Sequence, residues 1–289
     1  METGNKPYKR DALIIIKEDE EKKVIDPEKL FNIFKTKFKD EYSKFQTCDF
    51  SILPFYYYKC ESVNDINWGC AWRSMQTVLK YQLNKSKTST KKSIKFYDLF
   101  MEYGRKEKLL EIYDKINKNQ EVKEILKKRI FAPFENNGWA EPFISQLVLL
   151  DFGFSGELFL VNGYPEYSFA PRNVFDIMIN YNEFKLFLKD YFKDKNKSSP
   201  IILDDSRSSV CVIGCKFNQK ENDEESSLEL LILDPHAQNE MPGETGLYIV
   251  VLDNNGEQIK VLPGSCLASR AIYFSRHNPW MVYSPKIES

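Results

Sequence analysis

Asn67-Trp68-Gly69-Cys70-Ala71-Trp72-Arg73-Ser74-Met75-Gln76-Thr77 sets a cysteine at a change of local structure. A polar loop, Glu61 to Asn67, leads into it. From Ala71 to Leu83, the residues Met75, Val78, Leu79 and Tyr81 recur at the spacing of a helix with one buried face. The Cys70 sulfur is therefore expected at a helix N-terminus, where the macrodipole and free backbone N–H groups stabilise a thiolate. Gly69 gives the backbone room to approach a substrate. A buried structural thiol, the commoner fate of cysteine, stays open as the other reading.

Working outward, Asn84 to Ser93 is a low-complexity loop, and two or three amphipathic helices follow to about Ile130. After Asn136-Asn137-Gly138 comes another helix, Glu141 to Phe152, ended by Gly153. The pattern then changes. Glu157 to Val161, Pro200 to Leu203, Val210 to Phe217, Leu228 to Leu233, Leu247 to Leu252 and Ala271 to Phe274 read as strands, with a helix at Asn182 to Phe192 between them. Helices followed by a run of strands predict an α+β domain, its nucleophile helix packed on a mainly antiparallel sheet. Towards the start, residues 10–17 read as a short strand. Asp26-Pro27-Glu28 opens a helix with Leu30, Phe31, Ile33, Phe34 and Phe38 at helical spacing, and Ser51 to Tyr58 is aromatic and β-prone. Residues 1–45 read as an N-terminal extension and 46–289 as the main domain.

Composition narrows the function classes. The 289 residues suit one large domain or two small ones, and 42% hydrophobic residues are ample for a core. With 41 basic and 42 acidic residues the net charge is −1, so no global field recruits nucleic acid or an anionic membrane. The lysines of Lys85 to Lys95 are broken up by Ser and Thr without interleaved aromatics, which fits a solvated loop. Met1 to Arg10 lacks the apolar segment of a signal peptide, and no stretch approaches the ~20 apolar residues of a membrane span. Six irregularly spaced cysteines, in a chain large enough to fold without staples, are expected as reduced thiols. The expected location is the cytoplasm, with the endoplasmic reticulum surface as the alternative.

The chain holds only two histidines, so any imidazole-dependent mechanism must use His236 or His277. His236 follows a hydrophobic strand in Leu228-Glu229-Leu230-Leu231-Ile232-Leu233-Asp234-Pro235-His236, with Pro235 stopping the ladder. Asp234 beside His236 could fix the imidazole tautomer and stabilise the imidazolium. Spacing alone leaves this pair and a strand-end turn with an incidental histidine equally open. His277, in Arg276-His277-Asn278-Pro279, reads as a surface turn residue. Cys48, Cys60 and Cys266 read as structural. Cys211 and Cys215 lie in strand pattern without a nearby histidine or third cysteine, so no metal is expected. No phosphate loop appears, and no cofactor is expected.

Residues 67–77 resemble the cysteine box of the ubiquitin-fold modifier-specific proteases, which reads Gly-Trp-Gly-Cys-Ala-Tyr-Arg-Ser-Leu-Gln-Thr. Leu233-Asp234-Pro235-His236 resembles the family's Asp-Pro-His motif. Tyr58, about twelve residues before Cys70 in Tyr56-Tyr57-Tyr58, has the spacing of the family's oxyanion tyrosine. Asn137-Gly138-Trp139, the strands Ser199-Pro200-Ile201-Ile202 and Val210-Cys211-Val212-Ile213-Gly214, and Tyr273-Phe274 resemble further family segments, so the likeness runs from about Leu53 to Ser275. It implies a papain-like cysteine protease fold with Cys70 as nucleophile, His236 as base, Asp234 as its orienter and Tyr58 as oxyanion donor. The implied substrates and partners are a ubiquitin-like modifier and its conjugates. Trp68 and Gly69 are implied to line a substrate channel, although packing beneath the cysteine box is the other reading of Trp68. Core packing is likewise the other reading of Tyr58.

The chain departs from the family pattern at three places. Asn67 replaces Gly, Asp204-Asp205-Ser206-Arg207 replaces a Gly-rich turn, and Ala140-Glu141-Pro142 replaces Ile-Gly-Ser. Autophagins, which process the autophagy ubiquitin-like modifier, are the nearest rival: they also combine Trp-Gly-Cys with Asp-Pro-His, often followed by Gln as at Gln238. A reading from another class is a non-catalytic adaptor, binding a modifier or a membrane-anchored partner through the N-terminal segment.

Overall fold

A computed structural model describes residues 27, 32, 42–61, 63–87, 89–116, 120–129, 132–163, 174–175, 177–218, 227–236, 246–262, 275 and 279–286. The strand expected at 10–17, the strand expected at 271–274, Cys266 and His277 lie outside these residues. So does most of the helix expected from Asp26, of which Pro27 and Asn32 are described and helical.

The helices are α1 (Cys70–Ser86), α2 (Phe96–Tyr103), α3 (Lys106–Ile116), α4 (Gln120–Arg129), α5 (Pro142–Asp151) and α6 (Tyr181–Tyr191). The strands are β1 (Gln46–Thr47), β2 (Gly156–Val161), β3 (Ile177–Ile179), β4 (Ile201–Asp204), β5 (Ser209–Asn218), β6 (Ser227–Leu233), β7 (Leu247–Leu252), β8 (Gln258–Leu262) and β9 (Trp280–Pro285). Among the described residues they form one sheet in the order β3-β2-β9-β4-β5-β6-β7-β8, with β1 added on β5. Every pairing is antiparallel except β2 with β3.

Successive side chains of a strand point to opposite faces, so an unbroken buried run means a sheet covered on both sides. β4 is buried along its whole length and β5 over its first seven residues. α1 packs on β4 and β5, α5 on β2, β4 and β9, and α6 on β5. An irregularity between Val212 and Gly214 breaks the alternation of β5. Cys211 then meets α1, its thiol donating to the Ser74 carbonyl at 3.5 Å, whereas Cys215 meets α6 at the Leu188 carbonyl, 3.6 Å away.

Local chemistry sets the helix ends. Pro142 opens α5, and Gly153 closes it at φ 90°, with Gly153 N–H donating to Leu150 and Phe154 N–H to Leu149. Glu141-Pro142, a departure from the family pattern, is thus a helix start. Asn180 and Glu183 form a reciprocal capping box on α6.

Two expectations differ from the structure. Ser51 to Tyr58 is buried from Leu53 onward but forms no strand. Its N–H groups go elsewhere: Phe55 to the Pro27 carbonyl, Tyr56 to Thr77 Oγ1 at 3.1 Å, and Tyr58 to the Pro235 carbonyl at 2.9 Å. In addition, β9 inserts between β2 and β4. Its flanking prolines hid it from a local reading, and its partners are remote in sequence.

β6 carries the Asp-Pro-His end, and Ile232 on it is fully buried. Ile232→Ala is expected to destabilise the fold by about 2–5 kcal/mol. The check is a lower urea midpoint with an unchanged slope.

Candidate active site

Asp65 has a fully buried side chain and holds the loop before α1 in place. Its backbone carbonyl accepts Gly69 N–H at 2.8 Å and Trp68 N–H at 3.3 Å. Its Oδ2 meets Arg73 Nε at 2.6 Å, and its Oδ1 accepts Lys59 N–H at 2.8 Å. A Cβ on Gly69 would come within 2.5 Å of Asp65 Oδ2, so packing against Asp65 already requires glycine there. Asn67 sits at φ 72°, a left-handed conformation that glycine and asparagine reach more easily than other residues. The Asn67 departure therefore keeps the backbone shape.

Arg73 of α1 is fully buried. Besides Asp65 it bonds Glu61 Oε2 at 2.7 Å and Gln76 Oε1 at 2.9 Å, and its guanidinium lies 4.2 Å over the Phe96 ring. Burial opposes this charge, but Asp65, Cys60 and Glu61 outweigh it and hold the guanidinium above its ordinary range. Glu61 Oε2 also accepts from Gln76 Nε2 and from Phe96 N–H, tying α2 to the same network.

α1 begins at Cys70 with Gly69 as N-cap and no side-chain cap, so no side chain competes for its first N–H groups. Cys70 is 2% exposed. Beside it, β6 ends. Asp234 N–H donates to the Gly246 carbonyl at 2.7 Å, and Asp234 Oδ1 accepts both His236 N–H at 2.9 Å and His236 Nδ1 at 2.5 Å. Burial disfavours the imidazolium, but the Asp234 carboxylate and a hydrogen bond with the Cys70 side chain outweigh it and push the ring up to about 11. Tyr248 on β7 donates to Asp234 Oδ2 at 3.0 Å. Both carboxylate oxygens are therefore engaged.

Tyr58 joins the two halves. Its N–H donates to the Pro235 carbonyl, and its ring stands edge-on to His236 at 5.1 Å. Its hydroxyl is sealed from solvent without a hydrogen bond of ordinary geometry, in the electrostatic reach of the Cys70 sulfur. Burial, Cys70 and Asp65 push this phenol well above its ordinary range, which keeps its O–H a donor. The structure thus brings together Cys70, His236, Asp234 and Tyr58. The Trp68 ring is 7% exposed and packs on Phe96 at 5.4 Å and Phe100 at 5.1 Å, with Gly138 against its face. Tyr57 is fully buried and Tyr56 nearly so.

Asp65, Glu61 and Tyr248 escaped the sequence reading, which noted Asp204 only within the Asp204-Asp205-Ser206-Arg207 departure. Arg73 and Gln76 beside the buried face of α1 were the available signal for the first two, since a buried guanidinium demands carboxylates. Tyr248 left none, as it lies in an ordinary strand pattern. Asp204, 4% exposed at the end of β4, accepts Ser206 N–H at 2.6 Å. Burial, then Cys70, Asp205 and Glu141, push its carboxyl well above the usual range. Burial pushes the Cys60, Cys211 and Cys215 thiols up to about 12, and Cys48 well above its ordinary value. Among the described residues no cluster of three or more His, Cys, Asp or Glu could hold a metal.

No protein-family model matches the chain, and no curated protein does. A crystal structure of UfSP from C. elegans is similar to it, with a TM-score of 0.45 and 15% identity over 85% of this chain and 34% of that one. This chain spans about a third of that protein's length. Similarity at this level leaves the reading of the site to the residues themselves.

Two pH effects follow, and in both stability falls as pH rises. His236 holds its proton in the fold up to about pH 11, whereas an unfolded imidazole releases it near ~6.5. Its contribution to stability is complete below ~6.5 and is lost as pH rises towards about 11, so His236→Asn is expected to flatten that part of the urea-midpoint profile. Asp204 acts in the same direction from a lower pH: its carboxyl is held protonated by the fold, so stability falls as pH rises above ~3.9 and the effect is absent below it. Asp204→Asn is expected to raise the urea midpoint at pH 7 and leave it unchanged at about pH 3.

Proposed function

We propose that this chain is a papain-like cysteine protease that cleaves after the C-terminal glycine of a ubiquitin-like modifier, the ubiquitin-fold modifier first. The observation that carries the reading is the meeting of the Asp234–His236 pair with the Cys70 thiol at the start of α1. The Cys70 thiolate attacks the glycine carbonyl, and the tetrahedral oxyanion takes hydrogen bonds from Tyr58 O–H and Cys70 N–H. The C–N bond then breaks as His236 gives its proton to the departing amine, leaving a thioester on Cys70. Water attacks that thioester with His236 taking its proton, which frees the modifier carboxylate and restores the thiol. Asp234, oriented by Tyr248, keeps the imidazole in the tautomer this requires. Residues 46–289 form the catalytic domain in this reading, and conjugates of the modifier are its partners. No helix among the described residues is long and apolar enough to cross a membrane.

The test is incubation of wild type and Cys70→Ala with two C-terminally extended precursors, ubiquitin-fold modifier and the autophagy modifier, following tail release by intact mass. The expected outcome is cleavage of the first, absent in Cys70→Ala and reduced about 10²–10³-fold in kcat in Tyr58→Phe. Cleavage of the second alone moves the chain to the autophagins. Cleavage of neither by folded protein contradicts the reading and favours the adaptor.

A further inference from the structure

The chain between Tyr58 and Gly69 is held in a shape that its own backbone resists. Lys59, directly after Tyr58, sits at φ 64°, a region that costs any residue carrying a Cβ. Such strain persists only where the surroundings impose it. Here they do so through Asp65. Its Oδ1 accepts Lys59 N–H at 2.8 Å, while its Oδ2 grips Arg73 of the nucleophile helix at 2.6 Å and lies against Gly69. One buried carboxylate thus bonds the residue after the tyrosine and packs on the residue before the cysteine. The Tyr58 hydroxyl is sealed from solvent beside the Cys70 side chain, where its O–H can meet a charge that develops there.

We propose that Asp65 is a positioning residue that fixes the Tyr58 hydroxyl relative to the Cys70 sulfur, and so sets the oxyanion site without touching substrate. The proposal rests on the protease reading above. It separates Asp65 from a purely structural ion pair, because its effect runs through Tyr58 and Lys59 as well as through Arg73.

The test compares two reactions of Cys70: cleavage of the extended precursor that wild type processes, and alkylation by iodoacetamide. In alkylation the sulfur displaces iodide and no oxyanion forms, so Tyr58 has no part in it. Asp65→Asn is expected to lower kcat about tenfold to a hundredfold, the scale of an ångström-level misplacement, and to leave KM and the alkylation rate within about twofold. In a Tyr58→Phe chain, the same change should cost less than about threefold more, since the group it positions is already gone. Lys59→Gly added to Asp65→Asn should restore part of the turnover, because glycine adopts this φ without strain.

Equal losses in cleavage and alkylation, full additivity with Tyr58→Phe, or no restoration by Lys59→Gly would each overturn the proposal. So would a failure of every chain carrying Asp65→Asn to fold, which assigns Asp65 to the fold alone. Wild-type turnover in Asp65→Asn overturns the proposal and leaves the protease reading intact, whereas a folded wild type that cleaves neither precursor removes both.

Discussion

A guanidinium with no exposed surface cannot stay charged in a protein core unless acceptors surround it, and Arg73 is such a group. Two carboxylates and an amide, Asp65, Glu61 and Gln76, bond its Nε and Nη1, while its buried Nη2 finds no hydrogen-bond partner among the described residues. Glu61 and Asp65 precede the helix, so satisfying Arg73 folds the incoming loop back over the start of α1. Breaking such a buried pair typically costs about 3–5 kcal/mol, which is comparable to a large share of a domain's stability. The loop that delivers Cys70 is therefore firmly held at its start and its end. Glu61 extends the same network to α2 through Phe96 N–H.

The other half of the site comes from the sheet. β6 is paired on both sides, to β5 and β7, and its last turn leaves the ladder at Pro235. Asp234 is held from both directions, by Tyr248 on its outer oxygen and by His236 on its inner one. The segment around Tyr58 links the halves through the Pro235 carbonyl and Thr77 Oγ1. The end of a central strand and a pinned helix start thus meet across one short irregular stretch. Its lack of regular structure is what lets its N–H groups reach three separate elements.

Much of this was legible in the sequence because it was local. Apolar spacing marked α1, α5 and α6, and buried runs marked β4 to β7. Pro235 announced the strand end, and the residue types around Cys70 and His236 pointed to the chemistry. What stayed hidden was long-range. β9 reads as a weak segment between prolines, and only its partners β2 and β4 make it a central strand. Ser51 to Tyr58 has strand composition, yet its hydrogen bonds leave it for Pro27, Thr77 and Pro235. Nothing local to Asn67 announced its φ of 72°, a conformation that glycine and asparagine reach more easily than other residues. Tyr248 gave no local sign of its role, and Asp65 was signalled only indirectly by Arg73, since each acts through a partner that the fold supplies.

The central claim is that Cys70 is a nucleophile activated by His236 and addressed by a modifier's C-terminus. The most direct measurement is reaction of the folded chain with ubiquitin-fold modifier carrying a C-terminal propargylamide, read by intact and peptide mass. The account predicts a single covalent adduct on Cys70 that does not form with protein denatured beforehand or with His236→Ala. No adduct, or labelling spread over Cys48, Cys60, Cys211 and Cys215, would contradict it.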